Sequence, residues 1–158
     1  MVADYSKAPE LIVEKWLNTD ETLSLESLKG RVVALFTFQM LCPGCVIHSI
    51  PQARKVHAYF EATDLAVIGL HTVFEHHSAM SEVSLKAFVH EYKLDFPIAI
   101  DKPFPDPEIQ IPQTMSRYQT QGTPTLLLID RNGFLRTHHM GHLDDLIVGA
   151  QIMKLIAE

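Results

Sequence analysis

The sequence has little cysteine, no excess of positive charge and no long apolar run. Lysine and arginine number 13 against 19 acidic residues, a net charge of −6, which leaves no basic footprint and argues against a nucleic-acid partner. No uninterrupted apolar run approaches the ~20 residues needed to cross a bilayer, so we expect no membrane span. Since no stretch rich in glycine or serine divides the chain either, we expect one domain over residues 1–158.

The N-terminus lacks the basic region and the following apolar stretch of a signal peptide. As the sequence stands, this predicts a cytoplasmic protein, or a periplasmic one if a leader is missing from the sequence. Two cysteines fit either compartment. We expect residues 1–9 to be loose, with structure beginning after Pro9.

The two cysteines, Cys42 and Cys45, lie two residues apart between an apolar run and a stretch with helical periodicity. Residues three apart on a helical turn have Cβ atoms roughly 5–6 Å from each other, and a disulfide needs Cα atoms about 4.4–6.8 Å apart. The positive end of the helix would stabilise a thiolate at Cys42, and Pro43 suits the first helical position. Because so small a ring constrains the unfolded chain little, the pair indicates redox chemistry rather than a structural crosslink.

Apolar runs and turn residues predict an α/β protein. Strands are expected at residues 11–17, 32–38, 65–70, 96–100, 125–129 and 134–139. Helices are expected after the cysteine pair, where Pro51 should kink the helix, then after a Ser81 N-cap, from 112 to about 118, and from Asp144 to the end. This order predicts a central mixed sheet, with parallel strands plus a C-terminal antiparallel hairpin, and helices on both faces. Residues 101–112, which hold four prolines, are expected to form a long, stiff loop.

The Cys-x-x-Cys pair and the Gly122-Thr123-Pro124 triplet before a strand resemble the thioredoxin superfamily. Lys29-Gly30 before the redox strand and the turn at residues 130–133 are similar to its TlpA/ResA-like redoxin branch, of AhpC/TSA type. The resemblance implies a thioredoxin-like fold and a thiol–disulfide oxidoreductase. Its partners would be protein or small-thiol substrates and an upstream reductant or oxidant. No cofactor or metal is implied beyond the Cys42–Cys45 disulfide itself.

The same resemblance implies roles for individual residues. Cys42 would be the attacking thiolate and Cys45 the buried resolving thiol. Pro124 would be a cis-proline facing the disulfide, and Thr123 would offer backbone hydrogen bonds to a substrate. Leu41, Pro43 and Gly44, which flank or separate the cysteines, would form the rest of the substrate surface.

The sequence departs from this pattern where the family handles protons. Leu41 stands where a tryptophan is usual, and Phe36 where a buried Asp or an Asn is usual. The group that accepts the Cys45 proton must then come from elsewhere or be water. Glu75 is the first candidate and His71 the second, although both positions also fit a solvated polar loop.

Two other functions stay open at this point. A peroxiredoxin-like thiol peroxidase would place Thr or Ser three residues before the attacking cysteine, and Gln39 there counts against it. A metal-binding or copper-chaperone-like protein could use Cys42, Cys45 and His48, but no second half-site is present. The histidine pairs at 76–77 and 138–139 fit surface positions better than ligands.

Overall fold

The computed structural model describes residues 5–158, which form six strands and four α-helices. The strands are β1 (Val13–Leu17), β2 (Val32–Phe38), β3 (Leu65–His71), β4 (Ile98–Asp101), β5 (Thr125–Ile129) and β6 (Leu135–Met140). The helices are α1 (Ile50–Tyr59), α2 (Glu82–Glu91), α3 (Gln113–Tyr118) and α4 (Asp145–Ala157). A π-helical segment, Cys45–Ser49, precedes α1, and a 3₁₀ turn, His77–Ala79, precedes α2.

The six strands form one mixed sheet in the order β1-β4-β3-β2-β5-β6. Strands β2, β3 and β4 are parallel, and β5 and β6 form the antiparallel hairpin next to β2. The predicted mixed sheet is therefore confirmed. Strand β1 adds an antiparallel edge beside β4, a pairing that its own residues did not indicate.

Strand β2 lies at the centre and is buried on both faces. Its side chains alternate between two apolar clusters, as the pleat of a strand requires. The larger cluster is completed by α1, α2 and α4, and the smaller by α3 and the segment before β2. Helices therefore cover both faces, as predicted, and the continuous apolar run of β2 is explained by this double burial.

The N-terminal segment corrects one expectation. Residues 1–4 of the segment that we expected to be loose lie outside the described residues. Lys7 pairs with Phe134, the Leu135 N–H donates to the Ser6 carbonyl oxygen at 3.0 Å, and the Ala8 N–H donates to the Gly133 carbonyl oxygen at 2.9 Å. Residues 6–8 are therefore held against the C-terminal hairpin and are not loose.

Two strands end one residue later than the sequence pattern indicates, and β4 also begins two residues later, at Ile98. Strand β3 includes His71, which pairs with both Phe38 and Ile100, so His71 belongs to the sheet rather than to the polar loop. Strand β4 includes Asp101, so the proline-rich loop is residues 102–112. Both strands end in a polar residue, so the apolar pattern did not predict that these residues pair within the sheet.

The helix that carries Cys45 begins at Pro43, between the two cysteines, and is not continuous α-helix. The Ile50 N–H bonds to the Cys45 carbonyl oxygen across the π-helical segment, and Pro51 then lies in the first turn of α1. Pro51 has no N–H to donate, so it is accommodated where the helix changes from π to α. Among residues 5–158, no helix is both long enough and apolar enough to cross a bilayer.

Candidate active site

The two cysteines lie on the turn that joins β2 to the following helix. The Cys42 N–H donates to the Gln39 carbonyl oxygen at 3.1 Å, which closes that turn. The Cys45 N–H donates to the Cys42 Sγ at 3.2 Å. Both thiols are free; Cys42 is half-buried and Cys45 is buried. One sulfur can therefore meet a partner while the other is protected behind it.

The segment before β5 is distant in sequence but packs against this turn. The Thr123–Pro124 peptide bond is cis, and the Cys42 thiol donates to the Thr123 carbonyl oxygen at 3.5 Å. A β-carbon on Gly44 would lie 3.4 Å from Pro124 Cδ, so Pro124 packs directly against the residue between the cysteines. The Gly141 N–H in turn donates to the Pro124 carbonyl oxygen at 2.8 Å.

The residues predicted to form the substrate surface surround Cys42. Leu41 exposes 57% of its area, a large fraction for a leucine, and Pro43 is also exposed. Gly44, Thr123 and Pro124 are half-buried beside them. The structure thus brings the five predicted substrate-facing residues together around Cys42 at one surface, with Cys45 buried behind it.

Burial raises the pKa of the Cys45 thiol above that of an ordinary cysteine. Desolvation raises the pKa of the Cys45 thiol to about 12, and the hydrogen bond with Cys42 acts in the same direction. Hydrogen bonds from the Gln39 main chain and the Thr123 side chain oppose this rise. Cys45 is therefore a protonated thiol at neutral pH, and it needs a proton acceptor before it can act as a nucleophile.

Glu75 lies near the site but on the surface. Its Oε1 is 3.5 Å from the Nε2 of Gln39, which donates to it, and Glu75 itself is exposed. Gln39 is 1% exposed, and its Oε1 accepts from the Phe74 N–H at 3.2 Å. Glu75 thus reaches the cysteine turn through Gln39.

Gln39 also bears on the peroxidase alternative. Its side chain is committed to the loop after β3, so it is not free to bind a peroxide at Cys42. Sequence reasoning recognised Gln39 only as a missing Thr or Ser. The signal available in the sequence was an amide residue directly after an apolar strand.

His71, the second proton-acceptor candidate, faces the main chain of the cysteine turn. Its Nε2 accepts the Met40 N–H at 3.3 Å, and its ring lies 5.1 Å from that of Phe38. Burial lowers the pKa of His71 to about 4, so the ring is neutral near pH 7. His71 therefore supports the turn two residues before Cys42.

The histidines do not gather with the cysteines into a ligand cluster in the described part of the chain. Residues 5–158 contain no group of three or more His, Cys, Asp or Glu side chains arranged to hold a metal ion. The His48 ring instead stacks on that of His142 with centroids 4.5 Å apart. His138 is exposed, whereas His139 is half-buried.

The sheet order, the cysteine turn and the segment that covers it define a thioredoxin-like fold. A thioredoxin-like superfamily protein, SPOA0173, superimposes with a TM-score of 0.92 at 52% identity, covering 96% of this chain and 97% of that one. A thiol-disulfide isomerase from Corynebacterium glutamicum superimposes with a TM-score of 0.89 at 44% identity, with the same coverage of 96% and 97%.

Residues 5–138 match the model of the AhpC/TSA family, and the chain belongs to that family. The thiol-disulfide oxidoreductase ResA of Halalkalibacterium halodurans is 26% identical over 136 residues, which cover 86% of this chain and 68% of that protein. The NHL repeat-containing protein 2 of Homo sapiens is 31% identical over 90 residues, 55% of this chain but 12% of that protein. The predicted TlpA/ResA-like redoxin is thereby confirmed.

Proposed function

We propose that this protein is a thiol–disulfide oxidoreductase that exchanges its Cys42–Cys45 dithiol and disulfide with protein or small-thiol substrates. The observation that carries this conclusion is the pairing of an accessible sulfur with a buried one on a single helical turn, bridged by the Cys45 N–H. The relatives named as thiol-disulfide oxidoreductase and isomerase support the same activity.

In the reducing direction, the Cys42 thiolate attacks one sulfur of a substrate disulfide. The substrate S–S bond breaks, a mixed disulfide with Cys42 forms, and the first substrate sulfur leaves as a thiolate that takes up a proton. Cys45 then loses its proton and attacks the Cys42 Sγ, which releases the second substrate sulfur and forms the Cys42–Cys45 disulfide. Two electrons pass from the dithiol to the substrate, and the reverse sequence oxidises a substrate dithiol.

The surface around Cys42 would hold the substrate during these steps. Thr123 and Pro124 form one wall and Leu41 and Pro43 the other, and the missing side chain at Gly44 lets Pro124 lie close to the cysteine turn. A substrate sulfur approaching Cys42 would displace the contact between the Cys42 thiol and the Thr123 carbonyl oxygen. Thr123 would then be free to bond to the substrate main chain.

Glu75 is the proposed proton acceptor for Cys45. Its support is its contact with Gln39, whose carbonyl oxygen accepts from the Cys42 N–H and whose main chain opposes the rise of the Cys45 pKa. Because Glu75 is exposed, a water molecule would complete the transfer between the thiol and the carboxylate. The high pKa of Cys45 makes this step necessary before the mixed disulfide can be resolved.

Protein thiols or disulfides are the proposed substrates, with an upstream reductant or oxidant as the second partner. The reduction potential of the Cys42–Cys45 couple, measured by equilibration with glutathione, assigns the direction of electron flow. The cytoplasmic location, or a periplasmic one, stays a prediction.

Trapping tests the proposed activity and the two cysteine roles together. Cys45→Ser should retain attack by Cys42 and accumulate mixed disulfides with a disulfide substrate such as insulin. Cys42→Ser, the matched control, should accumulate none. Mass spectrometry of the non-reduced adducts decides; adducts on Cys45 in the control variant, or none in either variant, would contradict the assignment.

A further inference from the structure

A cavity of about 480 Å³ lies beneath the proline-rich loop, outside the cysteine site described above. Its walls include Leu85 of α2, Ile100 of β4, and Phe104 and Ile111 of the loop. It opens at the carboxyl ends of the parallel strands β3 and β4, a position at which α/β sheets commonly bind ligands. Its volume lies within the range typical of small-molecule sites.

The loop that roofs this cavity is held in place by hydrogen bonds. The Gln113 N–H donates to the Lys102 carbonyl oxygen at 2.9 Å, and the Gln113 Nε2 donates to the Pro103 carbonyl oxygen at 2.9 Å. At the other end of the loop, the His77 Nε2 donates to the Gln110 carbonyl oxygen at 3.0 Å. With its prolines restricting the backbone, the loop forms a cavity that exists before any ligand binds.

One ring nitrogen of His71 has no hydrogen-bond partner among the described residues. It lines the cavity and is 2% exposed. Because its Nε2 accepts the Met40 N–H, the neutral ring carries its proton on Nδ1. Among residues 5–158, no acceptor for that Nδ1 proton is found within hydrogen-bond distance. This nitrogen is not enclosed by protein, because only Thr120 Oγ1 and Arg136 Nε are buried without a partner among the described residues. A ligand in the cavity can therefore supply the acceptor in place of solvent.

The charged groups of the cavity limit what that ligand can be. Asp101 is buried and accepts from the Thr114 and Met115 N–H groups and the Thr72 hydroxyl, so it is already satisfied. Glu14, Glu82 and Asp106 also line the cavity, and Glu82 is paired with two lysines. The two remaining carboxylates, Glu14 and Asp106, would repel an anionic ligand.

We propose that the loop cavity binds a small, uncharged, largely apolar molecule whose carbonyl or similar acceptor takes the hydrogen bond from His71 Nδ1. The apolar walls would enclose the body of the molecule, and His71 would orient its polar end. The same imidazole ring accepts the Met40 N–H in the cysteine turn. A ligand bound to His71 would therefore alter the environment of the Met40 amide, two residues before Cys42. This inference does not depend on the redox activity proposed above.

The test uses 3-phenylpropanamide as the probe and 3-phenylpropanoate as its charged counterpart of nearly the same shape. In protein labelled with ¹⁵N, the amide probe should cause saturable shifts at His71 Nδ1 and at the Met40 amide. The carboxylate should bind about fivefold more weakly, the factor expected from partly screened charge repulsion. Equal affinities, or shifts that do not saturate at either reporter, would overturn the proposal.

Two variants locate the binding site. His71→Phe removes the donor, and Ile111→Trp fills the cavity from the exposed loop without altering the sheet. Each should abolish the saturable shift of the Met40 amide caused by the amide probe. Met153→Ala, in the separate groove between α1 and α4, is the matched control and should bind the probe like the parent chain. Unchanged binding to a folded Ile111→Trp variant would overturn the proposal even if His71→Phe failed to fold.

Discussion

Gly69 in β3 and Ile98 in β4 are in such close contact that a β-carbon at Gly69 would lie 2.7 Å from Ile98 Cδ1. The same atom would lie 3.1 Å from Phe96 Cε2 and 3.2 Å from Phe38 Cε1. Phe38 is the last residue of the strand that leads to the cysteine turn. The missing side chain at Gly69 therefore lets two aromatic rings pack beneath the active site.

Gly69→Ala should destabilise the protein by about 1–3 kcal/mol, because the added methyl group overpacks this part of the core. Gly149→Ala is the matched control, since a β-carbon there meets nothing within 4 Å. In the middle of α4 it should instead stabilise by roughly 0.5–1 kcal/mol. Urea unfolding of both variants measures the difference, and a neutral Gly69→Ala would show that the rings move aside at little cost.

Alkylation should distinguish the two thiols of the reduced protein. At pH 7, iodoacetamide should modify Cys42 and leave Cys45 almost untouched, because Cys45 is buried and its pKa is raised to about 12. Peptide mapping by mass spectrometry reads the two sites separately. Unfolding in urea is the control and should make both cysteines reactive; equal labelling in the folded protein would contradict the assigned burial.

The stability of the fold should depend on pH through His71. Its pKa falls from an unfolded value near 6.5 to about 4 in the folded protein, so the unfolded chain takes up a proton first as the pH drops. The contribution of neutral His71 to the free energy of unfolding is therefore fully present above pH 6.5, and it is lost as the pH falls to about 4. His71→Gln keeps an acceptor for the Met40 N–H but cannot titrate in this range.

Urea unfolding at pH 7 and pH 4.5 measures this effect. The parent protein should lose about 2 kcal/mol more than His71→Gln between the two values, after the contributions of shared carboxylates cancel. Parallel losses in the two proteins would show that His71 is not buried in its neutral form.

Glu75→Gln tests the proposed proton acceptor. The substitution keeps the shape of the side chain but removes the base, so resolution of the mixed disulfide by Cys45 should slow at least about a hundredfold near pH 7. Formation of the mixed disulfide by Cys42 should change little, and stopped-flow kinetics separates the two steps. Glu91→Gln, at the exposed end of α2, is the control. An unchanged resolution rate and pH profile would assign the proton transfer to water alone.

Local sequence determined much of the framework. Four features depend only on residues within one helical turn or a few strand positions: the apolar run of β2, the cysteine spacing, Pro43 at the helix start and the Ser81 cap. The Ser81 hydroxyl accepts from the Ser84 N–H at 3.3 Å. Periodicity and capping describe such short-range interactions well. For this reason the mixed sheet and the strand–cysteine–helix unit were predictable.

Tertiary structure decided which distant residues meet these local units. Thr123 lies 81 residues from Cys42, and His71 lies 31 residues from the Met40 amide that it supports. Gln39 likewise reaches Phe74 and Glu75 only because β2 and β3 end side by side. The sequence marks such residues as polar positions at strand ends, but their partners are set by the order and register of strands. That order follows from burying both faces of the sheet at once, a condition that no local pattern contains.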